Sequence, residues 1–543
     1  MGAGKDDAEL VLERLYGLQE VGAGLTDLLA QRALRSGALE VFEALTCCVL
    51  KALPGKLEIH LSILEQLSLE CPGAFHKQLQ SFVDWLKSED LVFSVAACKI
   101  LSQVLPSWEA SKRERQKMSE KLVEELTSLL DESTSPSKDL GQLARAVVQC
   151  LAVVIQCLAP SRRDLLLGHF GHTVRCLSEG LQGGVSDARL CRFTWILGSL
   201  LEFLDQSSME QLGETVCPGL QGVQAVCQAA VRLVAECCLN GPAAAKPAMM
   251  PALGFALRRH PELLEMEHLS PLEVLKQGLK AGASLRQQAA ETLATLAADE
   301  GTAQKLASLQ QELLSCLEDP KAAPPALRAF CCLCDQGVVH PGSALASIIA
   351  VTFSDQLLTG HARPLLLRLV EAGPPLLAQR CGTALRSAAV RLDGQRVYGD
   401  AWRYAALLEA YGEVLDSKQL RDQFLSCLLS EALLSEASVT HLELLAGLLA
   451  RLVSREAELM RIFHSLVQFL TLKLAPLEEL RDSSPAVLVL HELCVQWWQQ
   501  LPPELAKLMR STWGKAFVLP TDDQALPTSF SRQLPDLASL FEP

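Results

Sequence analysis

Cys331-Cys332-Leu333-Cys334, with His340 and His361 beyond it, is the part of the sequence whose residue types come nearest to metal chemistry. A thiolate zinc site needs four ligands converging on a tetrahedron, usually as two short pairs joined by a compact loop. Only one such pair is present, and it falls in a leucine-rich helical run, where free cysteine behaves as a small apolar side chain. Cys47-Cys48 and Cys237-Cys238 read the same way, so no metal and no other cofactor is expected. Gly2-Ala3-Gly4-Lys5 lacks the preceding strand and the full spacing of a phosphate-binding loop. No GxSxG elbow, HExxH helix, EF-hand loop or kinase signature set occurs. Without a converging acid, base or nucleophile, the chain is not expected to be an enzyme.

Residues suited to binding are easier to find. Trp497 and Trp498 are adjacent on a helical run and point about 100° apart, so one can face outward as an interface anchor while the other packs. Trp402 and Tyr404 form a second aromatic cluster, and in an aliphatic array such rings equally fill the interior. The closing stretch, 519–543, is punctuated by proline and short of any stable helical period, so it is expected to be an extended tail. Phe530, Leu534, Leu537, Leu540 and Phe541 give it apolar anchors. These suit a peptide docking in a partner's groove, or a tail folding back over the last helices. Lys112-Arg113-Glu114-Arg115-Gln116-Lys117 fits an import signal, a phosphate contact or a solvated helix face, with Glu114, Glu120, Glu124 and Glu125 diluting its charge.

The elements that must carry these residues are helices. Apolar residues make up 49% of the 543 residues but aromatics only 5%, so the core is aliphatic. Leucine and alanine dominate, and both favour helix over sheet. The net charge of −14 disfavours the chain as a whole as a nucleic-acid binder, since phosphate contact needs a basic surface. The 19 cysteines and the absence of an amino-terminal secretory pattern point to reduced thiols in an intracellular protein, in nucleus or cytoplasm. Asp6 stands where a myristoylation signal wants Ser or Thr. The most apolar stretch, Ala146 to Leu158, is shorter than the roughly 20 residues that span a bilayer, and is expected to be a buried helix.

A unit recurs at five places: a leucine-rich helix, a short polar or Gly/Pro break, and a second helix opening with small residues. They are Gln80–Leu105, Leu122–Val154, His172–Leu204, Leu272–Leu296 and Leu309–Leu333. The first helices end on apolar residues such as Leu86, Leu130 and Leu279. The second helices carry Ala96 and Ala97, Ala144, Ala289 and Ala290, and Ala326 and Ala329, where two helices must approach closely. Within 121–130, Leu122, Val123, Leu126, Leu129 and Leu130 share one helical face, leaving Glu124, Glu125 and Ser128 outward. One hairpin cannot bury such a stripe, but a stack can, and the spacing of roughly 40 to 50 residues is that of HEAT and armadillo arrays. Asn240 to Pro251, with three prolines, is expected to interrupt any continuous helix. The blocks anticipated are 1–240, 252–392 and 395–518, followed by the tail.

The unit LLSCLEDPKAAPPALRAFCCL, Leu313 to Leu333, resembles a HEAT repeat: helix end, Asp319-Pro320 turn, and a second helix with an early arginine, Arg328. That resemblance covers about residues 60–340 and implies an all-α, right-handed α-solenoid of irregular helical hairpins. It further implies a scaffold that binds other proteins, an alternative being a cytoplasmic adaptor in membrane traffic or nuclear transport. The cysteine- and leucine-rich repeats and the closing TSFSRQLPDLASLFEP are similar to the carboxy-terminal part of the vertebrate meiosis-inhibitor family. This implies a nuclear scaffold promoting meiotic double-strand breaks and chromosome synapsis, with the chain a shortened form; it assigns no role to any residue.

Overall fold

The computed structural model describes residues 57–131, 138–215, 222–267, 269–317, 319–340, 345–354, 362–363, 366–367 and 374–391, together with Thr46 and Leu50. Every regular element among them is helical. The chain divides into two compact units, Met1–Leu306 and Ala307–Pro543.

In the first unit α1 (Leu57–Glu70) leads through a 3-10 turn into α2 (Leu79–Trp85), and α3 (Leu91–Val104) folds back on α2. Next, α4 (Lys112–Asp131) pairs with α5 (Lys138–Cys157), and α6 (Arg163–Leu181) with α7 (Asp187–Phe203). After the short α8 (Gln206–Thr215), α9 (Val223–Asn240) pairs with α10 (Lys246–Arg259) and α11 (Pro271–Lys280) with α12 (Ala283–Ala297); α13 (Glu300–Leu306) closes the unit. The second helix of each hairpin packs on the second helix of the next, so α1, α3, α5, α7, α10 and α12 form one unbroken row. First helices make the other layer, with α9 against both α6 and α11. This is the stacking of hairpins expected of a HEAT or armadillo type array. In the second unit α14 (Gln310–Cys316) and α15 (Ala323–Asp335) form a hairpin, and α16 (Leu345–Ser354) packs on α17 (Pro374–Arg391).

All five hairpins read from sequence are present. Their close-approach alanines, Ala96, Ala97, Ala144, Ala289, Ala290, Ala326 and Ala329, are buried. On α4 the stripe Leu122, Val123, Leu126 and Leu130 is buried while Glu124 and Ser128 are exposed. Ala146, Val147, Val148, Leu151 and Val154 bury one side of α5 as anticipated, and no described helix is long and apolar enough to cross a membrane. The α9–α10 hairpin was not read from sequence. The helix does stop at Asn240, but it restarts at Lys246 and runs through Pro251. Pro247 lies in the first turn, where a missing N–H costs nothing, and Pro251 forfeits a single interior bond.

Two devices hold the stack together, the first along the row and the second between the row and the other layer. The first is glycine inside helices, at the cost of about 1 kcal/mol each in helix propensity. A Cβ at Gly141 of α5 would collide with the Trp195 indole of α7; one at Gly198 of α7 would meet the Ala252 carbonyl of α10. A Cβ at Gly254 of α10 would lie 2.7 Å from Thr292 of α12. Three successive helix crossings thus each use one missing side chain, to seat a neighbouring side chain at Gly141 and Gly254 and to bring backbones together at Gly198. The second device is a basic side chain that satisfies the orphan carbonyls at a neighbouring helix end. Arg192 donates to Leu129 O at 3.0 Å and also to Leu130 O, at the end of α4. Arg286 donates at 3.0 Å to both Leu279 O and Ala281 O, at the end of α11. Arg115 donates to Cys157 O at 2.8 Å, at the end of α5.

Arg115 belongs to the basic run at 112–117. Its helix starts with a reciprocal cap, Ser111 Oγ accepting from Glu114 N and Glu114 Oε2 accepting from Ser111 N at 3.0 Å. Lys112, Arg113 and Lys117 are exposed. The run is therefore partly an anchor and otherwise a solvated face.

Candidate functional site, a charged and aromatic ladder on the helix row

Much of the row is buried between neighbours, and polar side chains that bridge successive helices stay partly accessible as a strip along it. On α5 and α7 most residues pack inward, leaving Arg145 and Glu202 among the few charges in long apolar runs. Arg145 Nε and Nη2 donate to the two carboxylate oxygens of Glu202, each at 2.9 Å. Arg258, one helix further along on α10, donates to Glu202 Oε1 at 3.2 Å. Glu202 is 10% exposed, Arg145 28% and Arg258 43%, so the carboxylate is sunk while the outer guanidinium faces solvent. Charge-assisted bidentate geometry of this kind fixes both partners. Removing one partner of such a sheltered pair typically costs about 3–5 kcal/mol.

Aromatic rings frame the ladder. The Arg145 guanidinium lies 4.5 Å from the Phe255 ring centre and 5.6 Å from that of Phe203, within cation–π range. Phe255 packs at 5.3 Å on Trp195, whose indole N–H donates to Ala248 O. Both phenylalanines are half-buried. Toward the start of the row the strip continues with Lys99 on α3, which donates to both carboxylate oxygens of Glu65 on α1 at 3.0 and 2.9 Å, and with a Ser68–Gln103 hydrogen bond. Polar links between consecutive helices therefore recur along the strip. Chemically this surface offers guanidinium donors and ring faces, suited to recognition. It presents no nucleophile beside a base.

The structure describes only some of the residues singled out from sequence. Trp497, Trp498, Trp402, Tyr404 and the tail anchors Phe530, Leu534, Leu537, Leu540 and Phe541 are outside the described residues. Cys331, Cys332 and Cys334 are half-buried on α15 rather than packed in the core, because Leu327, Phe330 and Leu333 take its inward face. His340 is exposed, and His361 is outside the described residues. Among the described residues no group of three or more potential ligands converges on a metal position. Cys237 and Cys238 are core residues as anticipated; burial pushes the Cys237 thiol up to about 12 and that of Cys238 higher still. Arg328, the early arginine of the Leu313–Leu333 unit, is exposed, whereas Arg115, Arg192 and Arg286 tie helix ends. Sequence reasoning passed over Arg145, Glu202 and Arg258. Their signal was a charge in an otherwise apolar helical run, single at Arg145 and Glu202 and paired with Arg259 in the last turn at Arg258, repeated about one hairpin apart.

No protein-family model matches the sequence, and no curated protein does. Among solved structures, the chain is similar to one from work on a phosphorylation switch controlling the interaction between cadherin and beta-catenin: 14% identity, 84% of this chain and 91% of that one, TM-score 0.26. It is similar to a Kap121p mutant at 12% identity over 92% of this chain and 63% of that one, TM-score 0.32. A third is the S. pombe condensin Cnd3-Cnd2 subcomplex, at 12% identity over 90% of this chain and 76% of that one, TM-score 0.23. With every TM-score below 0.5, the functional reading that follows rests on this chain's own residues.

Proposed function

We propose that the chain is a non-enzymatic scaffold that binds other proteins along the accessible strip of its helix row. The observation that carries this is the Arg145–Glu202–Arg258 ladder. A sunk carboxylate holds two guanidiniums in fixed positions beside half-buried rings, and Arg and aromatic side chains are the types that dominate protein interfaces. A stack of hairpins supplies such a surface rigidly and in series. The blocks 1–240, 252–392 and 395–518 serve as successive stretches of this scaffold, and the anchors in 519–543 and Trp497–Trp498 as further contact points.

Resemblance of the repeats and of TSFSRQLPDLASLFEP to the meiosis-inhibitor family narrows the reading to a nuclear scaffold in meiotic double-strand-break formation and synapsis. Affinity purification with mass spectrometry from germline and somatic tissue tests both levels. Nuclear meiotic proteins are the expected recovery from germline. Vesicle-coat proteins or transport cargo alone would favour the adaptor alternative, and recovery of no protein above background would remove the scaffold reading.

A further inference from the structure

We propose that the α5–α7–α10 stretch of the strip docks an acidic segment of a partner protein, a carboxylate pairing with Arg258 and Arg259 while a neighbouring apolar side chain rests on Phe203 and Phe255. This deepens the scaffold reading and depends on it. Three observations favour that occupant. First, the charges at this stretch are Arg145, Arg258 and Arg259 against the single carboxylate of Glu202, in a chain whose net charge is −14. An acidic partner is drawn to this strip and repelled by the protein as a whole.

Second, the donors are unequally committed. Arg192 and Arg286 spend theirs on backbone carbonyls, and Arg145 spends two on Glu202. Arg258 makes one 3.2 Å bond to an oxygen that Arg145 already uses, and its side chain is 43% exposed. A guanidinium has five N–H donors in a planar fork, so Arg258 retains an edge that fits a carboxylate bidentately. Arg259, next in the chain, is exposed. Third, Phe203 and Phe255 are half-buried beside the charges, giving an apolar footing next to the anion position. A nucleic-acid strand fits less well. Its phosphates call for cations spaced along a track, and here Glu202 occupies the middle of the cluster.

The test uses the full chain and a fluorescein-labelled peptide of Asp and Glu residues carrying one central Phe, followed by fluorescence anisotropy. The wild type binds it, and added salt weakens the complex. R258E/R259E weakens binding at least about tenfold, as expected for reversing charges at a contact. R258Q/R259Q serves the same purpose as the reversal if circular dichroism shows that the latter has lost helix. Absence of peptide binding, equal binding by wild type and both double variants, or equal or tighter binding of an oligothymidylate of the same length would each overturn the proposal. Partner recovery separates the two levels. If R258E/R259E keeps every protein recovered by the wild type, the docking site is wrong and the scaffold reading survives.

Discussion

Thiols are the residue type on which this core makes its sharpest chemical statement. Burial pushes Cys191 and Cys227 up to about 11 and Cys237 up to about 12, from an ordinary value of 9.0. Such thiols stay protonated and inert at neutral pH. An unfolded chain releases these protons first, so the stability they protect is intact below pH 9.0 and is lost as pH rises toward the folded values. Chemical-denaturation midpoints should therefore fall across that window, and a C191A/C227A/C237A variant should show a shallower fall; identical slopes would contradict the assignment. Cys176 is different. Half-buried on α6, its Sγ lies 3.5 Å from Nε2 of the exposed His172. Brief iodoacetamide treatment of the native protein followed by peptide mass spectrometry should label Cys176 well before Cys98, Cys150, Cys237 or Cys238, all of which are buried.

At the scale of the helix, stability comes from how ends and crossings are matched. Arg192→Ala removes the donor that serves two carbonyls at the end of α4. It should cost about 1–3 kcal/mol, the range for a charged hydrogen bond whose acceptors lose their partner; a change within about 0.5 kcal/mol, typical of a surface substitution, would show the anchor to be idle. Gly198→Ala tests the crossing of α7 over α10. Helix propensity alone predicts a gain of about 1 kcal/mol, whereas collision with the Ala252 carbonyl predicts a loss of about 1–3 kcal/mol. Urea unfolding decides the sign. These elements also show what the sequence makes legible. Hairpin existence was readable because apolar stripes such as Leu122–Leu130 repeat at helical period and leave one solution, burial against a neighbour. The α9–α10 hairpin was not, since three prolines obscure a helix that in fact places Pro247 in its first turn. Gly198 and Arg192 carry local signals that look like a weak helix position and an ordinary surface charge. Only the neighbouring helix gives them meaning. The same holds for the ladder, whose three members lie 56 or 57 residues apart and whose pairing depends on which helices become adjacent.

Across the first unit, each helix of the α1, α3, α5, α7, α10, α12 row is stabilised mainly by the helix before it and the helix after it. Stability in such a stack is close to a sum of unit and nearest-neighbour terms, and local opening should follow those terms. Hydrogen exchange with mass spectrometry on wild type and Gly198→Ala measures this directly. In the wild type, the slowest amides should lie in α3, α5, α7, α10 and α12. In the variant, exchange should accelerate most in α7 and α10, less in α5 and α12, and least in α1 and α3. Equal acceleration through all of them, or acceleration that spares α10, would contradict the stacked row.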